Sequence, residues 1–241
     1  MIIDIDIGNT RAKWRLSKNG VIVDRGFSNT HFEDWGFLIA LRNHNPHRVR
    51  VSNVAGGVLA DKIRTVIYSS LGLVAEFAVS SAGLGVVVSG YQKPEQLGVD
   101  RWLAILAGWD LFQQRCVVVD AGSALTCDFI DANACHQGGY IVPGQKMMGD
   151  ALLSGTSGVR VDALGLPNTG YGQNTYSAVK NGCLAMSLAL IENIMAGGGK
   201  AHGYTKVVLT GGDAELLLAR LPEGVVYKSD LVLDGLALAL P

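Results

Sequence analysis

The chain opens on an alternation: Ile3, Ile5 and Ile7 are interleaved with Asp4 and Asp6, the period of two that turns one face of a strand toward a core. The strand reaches Asp6-Ile7-Gly8-Asn9-Thr10, and the chain resumes as a second strand, Ala12-Lys13-Trp14-Arg15-Leu16. Asn19-Gly20 is the strongest short hairpin signal, and Val21-Ile22-Val23 supplies a third strand. The middle of the chain repeats this plan. Cys116-Val117-Val118-Val119 runs into Asp120-Ala121-Gly122-Ser123-Ala124, a second strand covers 125–130, 131–134 form a turn, and Gly139-Tyr140-Ile141-Val142 is the third strand. The two Asp-x-Gly turns lie 114 residues apart, close to half the chain, which argues for internal duplication.

The segments after the two copies are similar in kind. After the first, the pattern predicts a strand over 49–54, a helix over 58–71 and a strand over 74–79. After the second it predicts a helix over 175–195, a strand over 206–210 and a shorter helix over 214–221. Each half is therefore an α/β unit, 1–110 and 111–241, joined inside or just after a helix that begins at Asp100. The apolar segment 231–240 closes the chain as a helix that can pack back across the junction.

Composition narrows the class. With 241 residues, 49% apolar and 17% charged, the sequence describes a folded chain without a long disordered tail. A formal net charge of −1 gives no footprint for nucleic acid or an anionic membrane surface. The N-terminus has no basic leader, and no apolar stretch reaches membrane-spanning length without charges or repeated glycines. Cys116, Cys127, Cys135 and Cys183 have no metal-site spacing, so they read as reduced thiols, mostly buried, in a cytoplasmic protein.

A glycine just past a strand end lets the backbone approach a ligand and aims N–H groups at it. Asn9, Thr10 and Ser123 add short donors suited to phosphate oxygens, and Asp6 can hold a hydrated divalent cation. Each Asp-x-Gly taken alone is also a common turn; the matched pair favours phosphate binding. Gly211-Gly212, between a strand and a helix, is a corner that admits a base or ribose against the backbone. Other nucleotide motifs fail: Gly197-Gly198-Gly199-Lys200-Ala201 lacks the Walker spacing and hydroxyl, and Gly83-Leu84-Gly85 lacks the third dinucleotide glycine.

Asp6-Ile7-Gly8-Asn9-Thr10, Gly98-Val99-Asp100-Arg101-Trp102, Asp120-Ala121-Gly122-Ser123-Ala124 and Gly211-Gly212 follow one another in an order and spacing that resembles the type III pantothenate kinases. Tyr91 and the segment from Asn174 to Gly182 match the same pattern, and Ser123 departs from it mildly, standing where many members carry threonine. The resemblance covers nearly the whole chain. It implies the duplicated actin-like, ribonuclease H-like phosphotransferase fold, with two α/β domains flanking a nucleotide cleft. It implies ATP-dependent phosphorylation of pantothenate, the first step of coenzyme A synthesis, with Mg²⁺ and a monovalent cation, K⁺ or NH₄⁺. A homodimer with the pantothenate pocket near the subunit interface is implied as well.

The resemblance makes Asp100 the base and Asp120 the monovalent-cation position. It places Asp6, Gly8, Asn9, Thr10, Lys13, Gly122, Ser123, Gly211 and Gly212 around the nucleotide and its metal. Tyr91, Gly98, Val99, Arg101 and Thr175 go to the substrate. The residues allow other readings: Asp100 and Thr175 each suit a helix N-cap, Lys13 a solvated strand position, and Asp4 structural hydrogen bonding in place of help to the metal. Trp14, Trp35, Trp102 and Trp109 read as core or interface. The 175–195 helix is apolar on more than one side, so a second subunit is expected on it, with Leu188 and Ile191 as its probes. The alternatives are another small-molecule kinase of this fold or a non-catalytic transcription accessory protein built on it.

Overall fold

Strands β1 (Ile2–Ile7), β2 (Arg11–Lys18) and β3 (Val21–Asn29) form an antiparallel ribbon, followed by α1 (Gly36–Arg42), β4 (Arg48–Asn53), α2 (Gly57–Leu71) and β5 (Ala75–Phe77). Asn19 and Gly20 both take positive φ, 51° and 79°, the conformation that a two-residue hairpin between β2 and β3 demands. The computed structural model describes residues 1–29, 35–154, 166–197 and 206–241, with the side chain of residue 153 left out. Of the 197–201 stretch weighed as a Walker motif, 198–201 lie outside the described residues.

The sheet order is β3-β2-β1-β4-β5, with β4 and β5 parallel to β1. The alternation in β1 sorts its two faces. Ile3, Ile5 and Ile7 are fully buried in a cluster with Leu38, Leu41, Ile63 and Ile67 from α1 and α2. Burying such a side chain stabilises by about 1.5–3 kcal/mol, so this stripe fixes the register.

Next come a short hairpin of β6 (Gly83–Leu84) and β7 (Val87–Val88), a 3-10 turn at Pro94–Gln96, and α3 (Val99–Phe112). The second half continues as β8 (Cys116–Ala121), β9 (Ala124–Ile130), β10 (His136–Pro143), α4 (Gln145–Ser154), α5 (Thr175–Met195), β11 (Val207–Thr210), α6 (Ala214–Leu218), β12 (Val225–Tyr227) and α7 (Leu231–Ala239). Its sheet order is β10-β9-β8-β11-β12, the same plan as the first sheet strand for strand. The duplication read from two turns is thus a duplication of whole sheets.

The first compact unit comprises Met1–Leu111, Ala134–His136 and Asp230–Pro241; the second comprises Phe112–Asn133 and Gln137–Ser229. In the first, α7 covers the acidic face of β1. Asp4, fully buried, accepts hydrogen bonds from Arg15 Nε (2.9 Å) and from Arg50 Nε (2.6 Å) and Nη2 (3.1 Å). Arg15 also bonds Asp234 and the Leu233 carbonyl, while Arg50 donates to the Leu240 carbonyl at 2.8 Å, satisfying an otherwise orphaned acceptor at the end of α7. Desolvation works against the Arg15 charge, but the hydrogen bonds to Asp234 and Asp4 outweigh it and raise the guanidinium pKa above its ordinary value. Asp4 therefore has the structural role.

Several expectations are corrected. Thr175 is the first residue of α5 rather than its cap: Asn174 accepts from Ser177 N–H at 2.9 Å in a capping box. Leu188 and Ile191 do not face outward; they lie in the second unit's core with Val117, Val119 and Leu209. The outward side of α5 is Ala178, Gly182, Ala185, Met186 and Ala189. The strand expected over 74–79 and the helix over 214–221 are shorter, and β3 runs on to Asn29 as a largely exposed edge strand. Among the described residues no helix is long and apolar enough to cross a membrane.

Candidate active site

Asp6 is the penultimate residue of β1 and sits in a defined row. Its cross-strand neighbours are Lys13 on β2 and Ser52 on β4, so all three project from one sheet face. Gly8 N–H donates to the Arg11 carbonyl at 3.0 Å, leaving Asn9 and Thr10 exposed at the tip of a two-residue turn. Lys13 is half-buried on β2, opposite Asp6. Ser52 is fully buried, and among the described residues its hydroxyl has no hydrogen-bond partner.

The second copy is built alike, with two differences. Gly122 N–H donates to the Ala124 carbonyl at 3.0 Å, so Ser123 alone forms the exposed tip. Asp120 is flanked by Thr126 on β9 and Thr210 on β11, hydroxyls on both sides where Asp6 has a lysine on one. Gly211, at φ 99°, packs so tightly on the Ala121 carbonyl and the Asp120 carboxylate that a side chain there would collide with both. Asp213 N–H donates to the same Ala121 carbonyl at 2.8 Å. The Gly211-Gly212 corner and the second Asp-x-Gly turn are therefore one structure. Gly144, which sequence reasoning missed, joins it through a 3.0 Å bond from its N–H to the Ser123 carbonyl. A depression lined by Ala121, Gly122, Gln145, Ser187, Asp213 and Leu217 lies at this place.

The third group sits at the start of α3 in the first unit. Asp100 is the second residue of α3, so it is not the helix cap, and its Oδ1 accepts from Arg101 N–H at 2.7 Å. Arg101, largely buried, donates from Nη1 to the Tyr91 hydroxyl at 2.8 Å. Tyr91 in turn stacks on His136, with ring centroids 5.9 Å apart and planes 17° from parallel. His136 is a second residue that the sequence did not single out for chemistry. Asp100 is half-buried and Arg101 buried beside Gly98 and Val99, and Thr175 is exposed in the second unit.

The chemistry of these donors can be tested against the ions that the resemblance implies. Mg²⁺ keeps much of its water and needs one or two carboxylates plus phosphate oxygens. Among the described residues no group of three or more His, Cys, Asp or Glu could hold a metal by itself. A single half-buried aspartate at a strand end suits a cation that arrives with phosphates. K⁺ favours carbonyl and other neutral oxygens with little charge, and the surroundings of Asp120 offer backbone and threonine oxygens.

A family model described as type III pantothenate kinase matches residues 2–197. The type III pantothenate kinase of Ectopseudomonas mendocina is 37% identical, over 100% of this chain and 99% of that protein. The one from Alcanivorax borkumensis is 34% identical, over 98% and 97% of the two chains. Among solved structures, a Campylobacter jejuni protein described as a Baf family transcriptional activator aligns with a TM-score of 0.61 at 22% identity, over 98% of this chain and 95% of that one. A 2-dehydro-3-deoxygalactonokinase-like protein from Sinorhizobium meliloti aligns at 0.59 and 14% identity, over 99% and 98%. These structural likenesses show the duplicated actin-like fold.

Proposed function

The chain belongs to the type III pantothenate kinase family, and from that footing we propose how its residues divide the work. The enzyme transfers the γ-phosphoryl group of ATP to pantothenate, opening coenzyme A biosynthesis. In our reading Asp100 accepts the proton from the attacking hydroxyl as its oxygen bonds phosphorus and ADP departs. The observation that carries this role is the 2.7 Å bond from Arg101 N–H to Asp100 Oδ1, which fixes the carboxylate at the start of α3. A positioned acceptor matters because a primary alcohol is a weak nucleophile at neutral pH.

Arg101 and Tyr91 hold the substrate carboxylate, since a guanidinium fork matches two carboxylate oxygens. Gly98 and Val99 form the backbone beside them, and Thr175 contributes a hydroxyl. Gly8, Asn9 and Thr10 in one turn with Lys13 on the strand that follows, and Gly122 and Ser123 in the other turn, donate to phosphate oxygens. Asp6 holds the Mg²⁺ that accompanies ATP, and the metal offsets phosphate charge. Gly211 and Gly212 lie against adenosine. Asp120 takes K⁺ or NH₄⁺: it has hydroxyl neighbours, while Asp6 already has Lys13 beside it. ATP as donor and four free thiols fit the cytoplasm as the compartment.

The active form is a homodimer through the outer side of α5. Small residues there allow close helix approach, and Met186 together with Tyr140, Ile141, Met147 and Leu152 gives the second unit exposed apolar surface. Release of ADP from ATP in the presence of Mg²⁺, measured with and without pantothenate, tests the reading. Pantothenate-dependent release supports it. Equal release in both, or dependence on a sugar or another acid in a substrate panel, moves the protein to a different kinase of this fold. No release with any substrate favours the accessory-protein alternative.

A further inference from the structure

We propose that His136 is a positioning residue for substrate binding, holding Tyr91 and through it the Arg101 guanidinium. The inference rests on the reading that Tyr91 and Arg101 form the carboxylate site. It adds a residue 35 positions beyond Arg101, on a different element of the fold.

Three observations carry it. His136 is 2% exposed and lies in the first compact unit with the short segment Ala134–His136, although it opens β10. That segment is tied down beside Tyr91: Val88 N–H donates to the Ala134 carbonyl at 3.1 Å, and Gly90 N–H lies 3.4 Å from His136 Nδ1. The imidazole plane then lies nearly parallel to the Tyr91 ring, the offset arrangement in which aromatic rings attract.

Tyr91 sits in an irregular stretch whose backbone is tied by hydrogen bonds, among them Tyr91 N–H to the Ser89 hydroxyl at 3.3 Å, none of which fixes the ring. Between β7 and α3 the only regular element is the 3-10 turn at Pro94–Gln96, so the ring's direction depends on what it leans against. On its other side the Tyr91 hydroxyl accepts from Arg101 Nη1 at 2.8 Å, with the guanidinium carbon 5.6 Å from the ring centroid. His136, Tyr91 and Arg101 thus form one chain of contacts ending on the cation that would meet the substrate. A long arginine has several rotamers, and ordering it before the substrate arrives lowers the entropy lost on binding. Removing the aromatic plane beneath Tyr91 releases this order without touching the reacting atoms.

The test uses His136→Leu, which keeps the buried volume but removes the ring, and His136→Phe, which keeps the ring. Calorimetry measures pantothenate binding, and steady-state rates give both Michaelis constants, with the thermal midpoint as the folding control. His136→Leu is expected to weaken pantothenate binding and raise its KM roughly 2- to 10-fold, leaving the KM for ATP unchanged. His136→Phe is expected to lose clearly less than His136→Leu, since it keeps the ring plane and gives up only the contact of Gly90 N–H with Nδ1. In an Arg101→Ala background, His136→Leu is expected to have no further effect on pantothenate binding, because the chain of contacts is already cut. Wild-type pantothenate binding in His136→Leu overturns the inference, as does equal loss in the two variants or full additivity with Arg101→Ala. If Arg101→Ala alone leaves pantothenate binding intact, the carboxylate-site reading fails instead, and the two failures are told apart.

Discussion

Oδ1 of Asp100 stands 2.7 Å from the point that a β-carbon on Gly98 would occupy. The glycine thus leaves the carboxylate room in this position, and Gly-x-Asp-Arg reads as a unit: glycine makes room and Arg101 N–H fixes the carboxylate. Gly98→Ala is expected to fold normally and displace Asp100, lowering kcat on the order of 10²-fold, as ångström-scale misplacement does. Thermal melting and steady-state rates check it; an alanine variant with wild-type kcat contradicts it.

Asp4 is expected to matter for stability alone. Asp4→Ala leaves Arg15 and Arg50 buried without the carboxylate that both of them hold, costing about 3–5 kcal/mol. Denaturant unfolding of Asp4→Ala and of the milder Asp4→Asn measures the loss. A stable Asp4→Ala with impaired Mg²⁺ dependence would return Asp4 to the metal.

Met186 and Leu188, close together on α5, separate assembly from folding. Met186 is 67% exposed and Leu188 is 6% exposed. Met186→Glu is expected to yield a folded protein that sediments as a monomer with reduced activity. Leu188→Glu is expected to unfold by burying a charge in the second unit's core. Sedimentation and circular dichroism distinguish them, and a Met186→Glu variant that remains dimeric removes α5 from the interface.

How much of the molecule is legible in its sequence depends on the range of each signal. The hairpins are legible because their signals are local: Asn19-Gly20 sets its own turn, and alternation in β1 names the apolar face. The second Asp-x-Gly turn is legible as a turn, but its union with Gly211 and Gly144 is not. Those contacts join residues far apart in the chain and leave only glycines as a trace. Asn174 is hidden by the adjacent Thr175, since both suit a cap and only backbone geometry chooses. For α5, a helix apolar on several sides does not reveal which side meets the sheet, so Leu188 and Ile191 are misassigned outward. The short α1 and the three-residue β12 lack enough length for any periodicity to register. His136 gives one signal, an isolated imidazole beside a cysteine, and nothing local ties it to Tyr91.

The monovalent cation is expected to act through Asp120. Wild-type activity is expected to rise when K⁺ or NH₄⁺ replaces Na⁺ at constant Mg²⁺ and ionic strength. Asp120→Ala runs at one rate in K⁺ and Na⁺ and loses that response specifically. A wild-type rate in Na⁺ equal to that in K⁺ contradicts the assignment.

Asp100 is expected to take the proton in a pantothenate-dependent phosphoryl transfer. The most direct measurement is pantothenate-dependent ADP release by Asp100→Asn beside wild type, with calorimetry showing that the variant still binds pantothenate. The amide keeps the shape and the bond from Arg101 N–H but cannot accept the proton. The account predicts a kcat lower by roughly 10²- to 10⁴-fold with binding retained. Near-normal turnover in the folded variant would contradict it.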